Sequence, residues 1–148
     1  MTLAERLCLS AAFLFFMTGL VTGTWKYWCM AKSPKAVAPR YVDIAHRSSL
    51  MYSFAAMLLS WFAGHSIYPG WLNTLAAAAA LGFFALAIGT YIIHGLLRDT
   101  SNQLRKPHRL GNATLPPWLI HGFMVLLIVA EIGGTLVLGS GALIAVWQ

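Results

Sequence analysis

Four long stretches of the chain carry almost no charge, and short charged segments separate them. The first runs from Leu7 to Trp25, the second from Ser48 to about Tyr68, and the third from about Trp71 to Leu97. The fourth starts after Pro116 and Pro117 and reaches the C-terminus, with Glu131 as its only charge. A helix needs about 20 apolar residues to cross the hydrocarbon core of a bilayer. Lipid offers no partner to backbone N–H and C=O groups, so each crossing segment bonds within itself as a helix. The pattern predicts helices over about 6–30, 43–68, 71–98 and 115–147 in a single domain spanning 1–148. The expected fold class is all-α, a polytopic membrane protein built as a four-transmembrane-helix bundle.

Local signals agree with these ends. Asp43 reads as an N-cap before the second helix and Thr114 as one before the fourth, with prolines in its first turn. Pro69-Gly70 reads as a tight turn. Gly19 and Gly23 form a GxxxG step, Ala76–Ala80 make a small face, and Gly133, Gly134, Gly139 and Gly141 make another. Small faces let membrane helices approach closely, so a compact bundle is expected. The first stretch reads as a retained helix rather than a signal peptide. Glu5 sits beside Arg6, no A-x-A site ends the stretch, and its apolar run is longer than an ordinary h-region.

Composition places the same chain outside the soluble classes. Hydrophobic residues make up 59% and charged residues 9%, with a mean hydropathy of +0.70. A soluble domain of 148 residues could not hide that much apolar surface. The net charge of +6 raises nucleic acid as a partner, but the distribution argues against it. Nine of the ten Lys and Arg fall within Lys26–Arg47 and Arg98–Arg109. Basic loops between apolar spans are topology signals. They predict both termini on the non-cytoplasmic side of a bacterial-type inner membrane, with the basic loops cytoplasmic and close to anionic headgroups. Cys8 and Cys29 lie about 31 Å apart along one helix and cannot pair.

The few polar residues inside the spans are then informative, because burying them is costly. His46, His94 and His121 fall within about 10 Å of one membrane level on the basic side. Imidazole is the common protein ligand of haem iron, zinc and copper. The group therefore reads either as a cofactor pocket or as interfacial histidines bonded to backbone and headgroups. His65 lies near the opposite surface and His108 in a basic loop. Ser49 and Ser53 share a helix face with His46, giving either room for a flat cofactor or ordinary helix packing. Tyr52 and Tyr91 are phenols that can hydrogen-bond a substrate oxygen. Glu131 reads as a proton relay, a cofactor contact or a neutral side chain bonded across helices. The segment from Arg98 to Gln103, including Asn102, either caps a pocket or is a solvated loop.

In layout, the chain resembles the styrene oxide isomerases. The resemblance rests on Ala45-His46 opening the second helix with small residues after it, on Gly89, Thr90 and Tyr91 before a polar turn containing Asn102-Gln103, and on the glycine-rich fourth helix. It implies a small homo-oligomer that binds haem b with His46 as the axial ligand. It also implies isomerisation of small lipophilic epoxides to carbonyl compounds by Lewis-acid ring opening. The family's asparagine six residues beyond its histidine falls on Tyr52, and its third-helix tyrosine falls on Tyr91. Its aspartate about two turns before that tyrosine has no counterpart here. Two other readings stay open from the residues alone. One is a membrane cytochrome b with His46 paired to His94 or His121. The other is a non-catalytic transport or assembly protein centred on Glu131.

Overall fold

The computed structural model describes residues 1–148. It contains four helices: α1 (Leu3–Lys32), α2 (Arg40–His65), α3 (Gly70–Leu97) and α4 (Pro117–Trp147). A two-residue antiparallel hairpin, β1 (Arg109–Leu110) and β2 (Ala113–Thr114), lies between α3 and α4. Three of the helices, α1, α3 and α4, are long and apolar enough to cross a membrane. The fourth, α2, carries Arg40, Asp43 and Arg47 in its first two turns, which lowers its apolar character.

The helix starts differ from the expected caps. Thr2 caps α1, its hydroxyl accepting from the Glu5 N–H at 3.2 Å while the Glu5 carboxylate accepts from the Thr2 N–H at 2.6 Å. Two of the otherwise orphaned first N–H groups are thereby satisfied. The other three helices each begin directly after a proline: Pro39, Pro69 and Pro116. Proline biases the residue before it out of helical conformation, so the helix cannot extend backwards. Asp43 is therefore not the N-cap of α2 but a first-turn acid. There it complements the helix dipole and pairs with Lys26 of α1 at 2.5 Å. Thr114 is not the N-cap of α4 either, because it lies in β2.

Consecutive helices run antiparallel and meet at small residues. A Cβ on Gly19 would lie 2.5 Å from the Leu50 side chain, and one on Gly23 would lie 2.8 Å from His46 Cε1. The GxxxG step thus seats α2 on α1. A Cβ on Gly95 would lie 2.9 Å from Trp25, and one on Gly134 would lie 2.5 Å from the Ala76 carbonyl oxygen. These contacts put both basic segments at the same end of the bundle.

The packed core occupies the opposite half. It joins Ala4, Cys8, Ala12 and Phe15 of α1 to Ala56, Leu59 and Ala63 of α2. Ala76, Ala77, Ala80, Leu81, Phe84 and Ile88 of α3 and Leu138 of α4 complete it. All four buried residues of α4 lie in its second half, from Gly134 to Ala142. Its first half, at the basic end, holds no buried residue, although Phe123 packs on Phe83 of α3 at 5.7 Å.

These contacts predict opposite outcomes for two glycine substitutions. Gly23→Ala is expected to destabilise by ~1–3 kcal/mol through overpacking against His46. Gly82→Ala, which meets nothing within 4 Å, is expected to be neutral or to stabilise by up to ~1 kcal/mol through helix propensity. Thermal unfolding of the detergent-solubilised variants checks both.

Candidate functional site

The structure places the three histidines of the basic side in three separate environments. His46 is half-buried and its ring lies across the glycine notch of α1, with Nδ1 at 2.8 Å from the Gly19 carbonyl oxygen. A carbonyl oxygen only accepts, so Nδ1 carries the hydrogen. In the neutral ring Nε2 then holds the lone pair, and no protein group bonds it. A ring N–H fixed on a backbone carbonyl with the other nitrogen free is the usual arrangement of a metal-binding histidine.

His94, near the end of α3, is 4% exposed. Its Nδ1 lies 2.7 Å from Asp99 Oδ1, and the Asp99 side chain is also 4% exposed. The helix ending makes this pair. Arg98 adopts a left-handed conformation (φ 52°, ψ 32°) and its N–H bonds back to the His94 carbonyl at 2.9 Å. That turn folds Asp99 onto the last turn of α3. The hairpin supplies a second anchor, as the Gly111 N–H donates to Asp99 Oδ2 at 2.6 Å. Burial pushes the Asp99 carboxyl up, but the Gly111 N–H and His94 outweigh it and hold the group below the usual carboxylate range. Asp99 is therefore ionised at neutral pH. The Tyr41 ring packs over His94 at 5.0 Å between centroids, and its hydroxyl accepts from the Gln103 N–H at 2.6 Å.

His121 is exposed on α4, and the ring of His108 meets it edge-on at 5.9 Å. His108 is 2% exposed, with Nδ1 donating to the Gln103 carbonyl at 3.2 Å and Nε2 buried without a partner. His65 is exposed and stacks on Trp61 at the opposite end. No group of three or more His, Cys, Asp or Glu is arranged to hold a metal ion.

The remaining polar residues divide into two groups. Ser49 and Ser53 are buried, and their hydroxyls bond carbonyls of their own helix, Ala45 at 2.7 Å and Leu50 at 2.6 Å. Tyr52 faces α3, stacked on Phe84 at 4.3 Å, whereas His46 faces α1. The Glu131 carboxyl of α4 lies beside Tyr52, and its Oε1 is buried without a hydrogen-bond partner. Tyr91 packs against Tyr41 at 6.1 Å. Tyr91 and Asn102 share the lining of a cavity of about 220 Å³ with Tyr41, Ile44 and Gln103.

Tyr41 is a functional candidate that the sequence pattern did not single out; Asp99 and Gln103 lie in the polar segment it marked, but their partners were not readable. The proximity of Asp99 to His94 depends on the left-handed turn at Arg98, for which a sequence without glycine gives no signal. Compared with known family models, curated proteins and solved structures, the chain matches none.

Removing the Asp99 side chain leaves the His94 Nδ1–H and the Gly111 N–H unpaired. Asp99→Ala is expected to destabilise by ~1–3 kcal/mol at neutral pH. Folding lowers this carboxyl, so its contribution is full above about pH 4, where the unfolded group is ionised. It is lost as pH falls through the lower folded value. Thermal unfolding of both proteins from pH 7 downward is expected to show the difference shrinking only at the acid end.

Proposed function

We propose that this chain is a haem-b-binding integral membrane isomerase that converts small lipophilic epoxides to carbonyl compounds. In this reading, all four helices cross a bacterial-type inner membrane, both termini lie on the non-cytoplasmic side, and the protein assembles as a small homo-oligomer. The observation that carries it is the hydrogen bond from His46 Nδ1 to the Gly19 carbonyl. That bond fixes the tautomer of the neutral ring and leaves Nε2 as the atom that would hold haem iron. The residues present fit the cofactor at this point: the ring is half-buried, oriented, and free at one nitrogen.

Ferric haem, when bound, would supply a Lewis acid for the epoxide oxygen. The chain's own groups would do the rest. His46 would hold the iron, and the Gly19 carbonyl holds His46. Tyr91, at the cavity it shares with Tyr41 and Ile44, carries a hydroxyl that can hold the substrate oxygen; Tyr52, on the α3 face of α2, lies away from His46. The exposed apolar side chains Met51 and Phe54 on α2, and Phe13, Leu14 and Val21 on α1, suit contact with lipid or with neighbouring copies. Lipophilic substrates concentrate in the bilayer and reach the protein laterally.

The single-histidine form has better support than the two-histidine cytochrome. His94 lines the cavity between α3 and α4 while His46 faces α1, and His121 is exposed on α4.

The detergent-purified full chain is expected to show a Soret band. His46→Ala is expected to abolish it, while His94→Ala and His121→Ala retain it. Absence of the band in the wild type, or its retention in His46→Ala, refutes the assignment. In a Cys29→Ser background, a cysteine at Arg105 is expected to resist a membrane-impermeant maleimide on intact cells, and one at Thr2 is expected to react. The reverse pattern refutes the orientation.

A further inference from the structure

The first half of α4 holds no buried residue, and the loop after α3 folds beside it. Between them lies a cavity of about 280 Å³. Its walls are mainly apolar: Ile93 of α3, Leu110 and Leu115 of the hairpin region, and Ile120, Phe123 and Met124 of α4 contribute. His94 and Gln103 are its polar walls deepest in the fold, and Arg109 and Thr90 complete the polar lining.

Both of the deeper groups are short of a hydrogen bond. Gln103 Oε1 is buried and unpartnered. It is an acceptor only, and a buried acceptor left without a donor costs about 1–3 kcal/mol. His94 commits Nδ1 to the Asp99 carboxylate, and its other ring nitrogen meets no protein group. The Thr90 hydroxyl is satisfied by the Leu86 carbonyl at 2.8 Å. An apolar cavity with a few convergent polar groups is the usual form of a small-molecule site.

We propose that this cavity is a second small-molecule site, separate from His46, which binds a lipophilic alcohol whose hydroxyl donates to His94 Nε2. The volume suits a ligand about the size of benzyl alcohol. The apolar walls take its ring, and the free His94 nitrogen selects a donor over a plain hydrocarbon. Asp99 acts as a positioning residue: held by the Gly111 N–H, it fixes the imidazole with its Nδ1–H turned away from the ligand. Leu119 of α4, one of the lining residues, is exposed, so in the four-span reading a lipophile enters from the bilayer side of α4.

The test is ¹⁹F NMR titration of the full chain in detergent with 4-(trifluoromethyl)benzyl alcohol, run before and after haem loading. A saturable shift is expected in both states. 4-(Trifluoromethyl)toluene, which lacks the hydroxyl, is expected to bind at least tenfold more weakly. Ile120→Trp fills the cavity without touching the polar pair and is expected to weaken the alcohol at least tenfold. His94→Ala is expected to reduce the preference for alcohol over toluene. Equal binding of alcohol and toluene overturns the proposal, as does an unchanged affinity in Ile120→Trp. Tighter binding of 4-(trifluoromethyl)benzoate overturns it in favour of an anion site at Arg109. None of these readouts depends on a Soret band, so this site and the haem assignment fail or stand separately.

Discussion

The close approach of α1 and α2 at Gly19 and Gly23 is the contact on which the rest of the arrangement depends. With no Cβ at either position, Leu50 and His46 reach the α1 backbone itself. A helix normally screens its carbonyls behind side chains. Here the Gly19 carbonyl is open enough to accept from both the Thr22 hydroxyl at 3.1 Å and the His46 ring at 2.8 Å. The α1–α2 pair then serves as the platform for α3, whose Gly95 sits against Trp25 and Val42. In turn α3 seats α4, whose Gly134 meets the Ala76 carbonyl. Van der Waals packing at small residues replaces the hydrophobic drive that lipid removes. Each docking step therefore relies on a glycine where a side chain would not fit.

The bundle separates packing from polarity along its length. The half away from the basic loops is rich in alanine and holds nearly all of the continuous core. The half nearer those loops holds Tyr41, His46, Tyr91, His94, Asp99 and Gln103. Close packing at one end fixes the helices, and the other end can then carry cavities and polar groups without losing the fold. The burial of α4 follows the same division. Its buried residues all fall on the packed side, and its first half meets α3 through Phe123 on Phe83 at 5.7 Å and through the loop that folds beside it.

Much of this was readable from the residues. The apolar runs located all four helices to within a few residues, and the glycine and alanine steps located the faces that meet. The clustering of basic residues implied two loops at one end, and the fold has them there. The caps were not readable, because Pro39 and Pro116 start α2 and α4 where Asp43 and Thr114 were expected as caps. Depth along a helix was also readable, since it needs only a residue count. Direction around the helix was not. His46, His94 and His121 share a level, yet one faces α1, one faces Asp99 and Tyr41, and one faces outward, because the packing partner of each helix sets that angle. The same holds for Tyr52, which lies on a different face of α2 from His46.

The pattern of hydrogen bonds shows where chemistry has been left available. Most hydroxyls within the helices are closed off locally. Thr18, Thr22, Thr24, Ser49, Thr74 and Thr90 all bond carbonyls one turn back on their own helix. Such residues carry polar atoms into apolar surroundings with no group left open. Three buried atoms lack any partner: Gln103 Oε1, His108 Nε2 and Glu131 Oε1. The rings of His46 and His94 each use one nitrogen and leave the other free. An open polar group in a chain this apolar is costly, so selection for stability alone would have replaced these residues. Four of the five lie at the basic end and the fifth, Glu131, stands beside Tyr52. The unmet hydrogen-bonding capacity is therefore gathered mainly where the packed core stops.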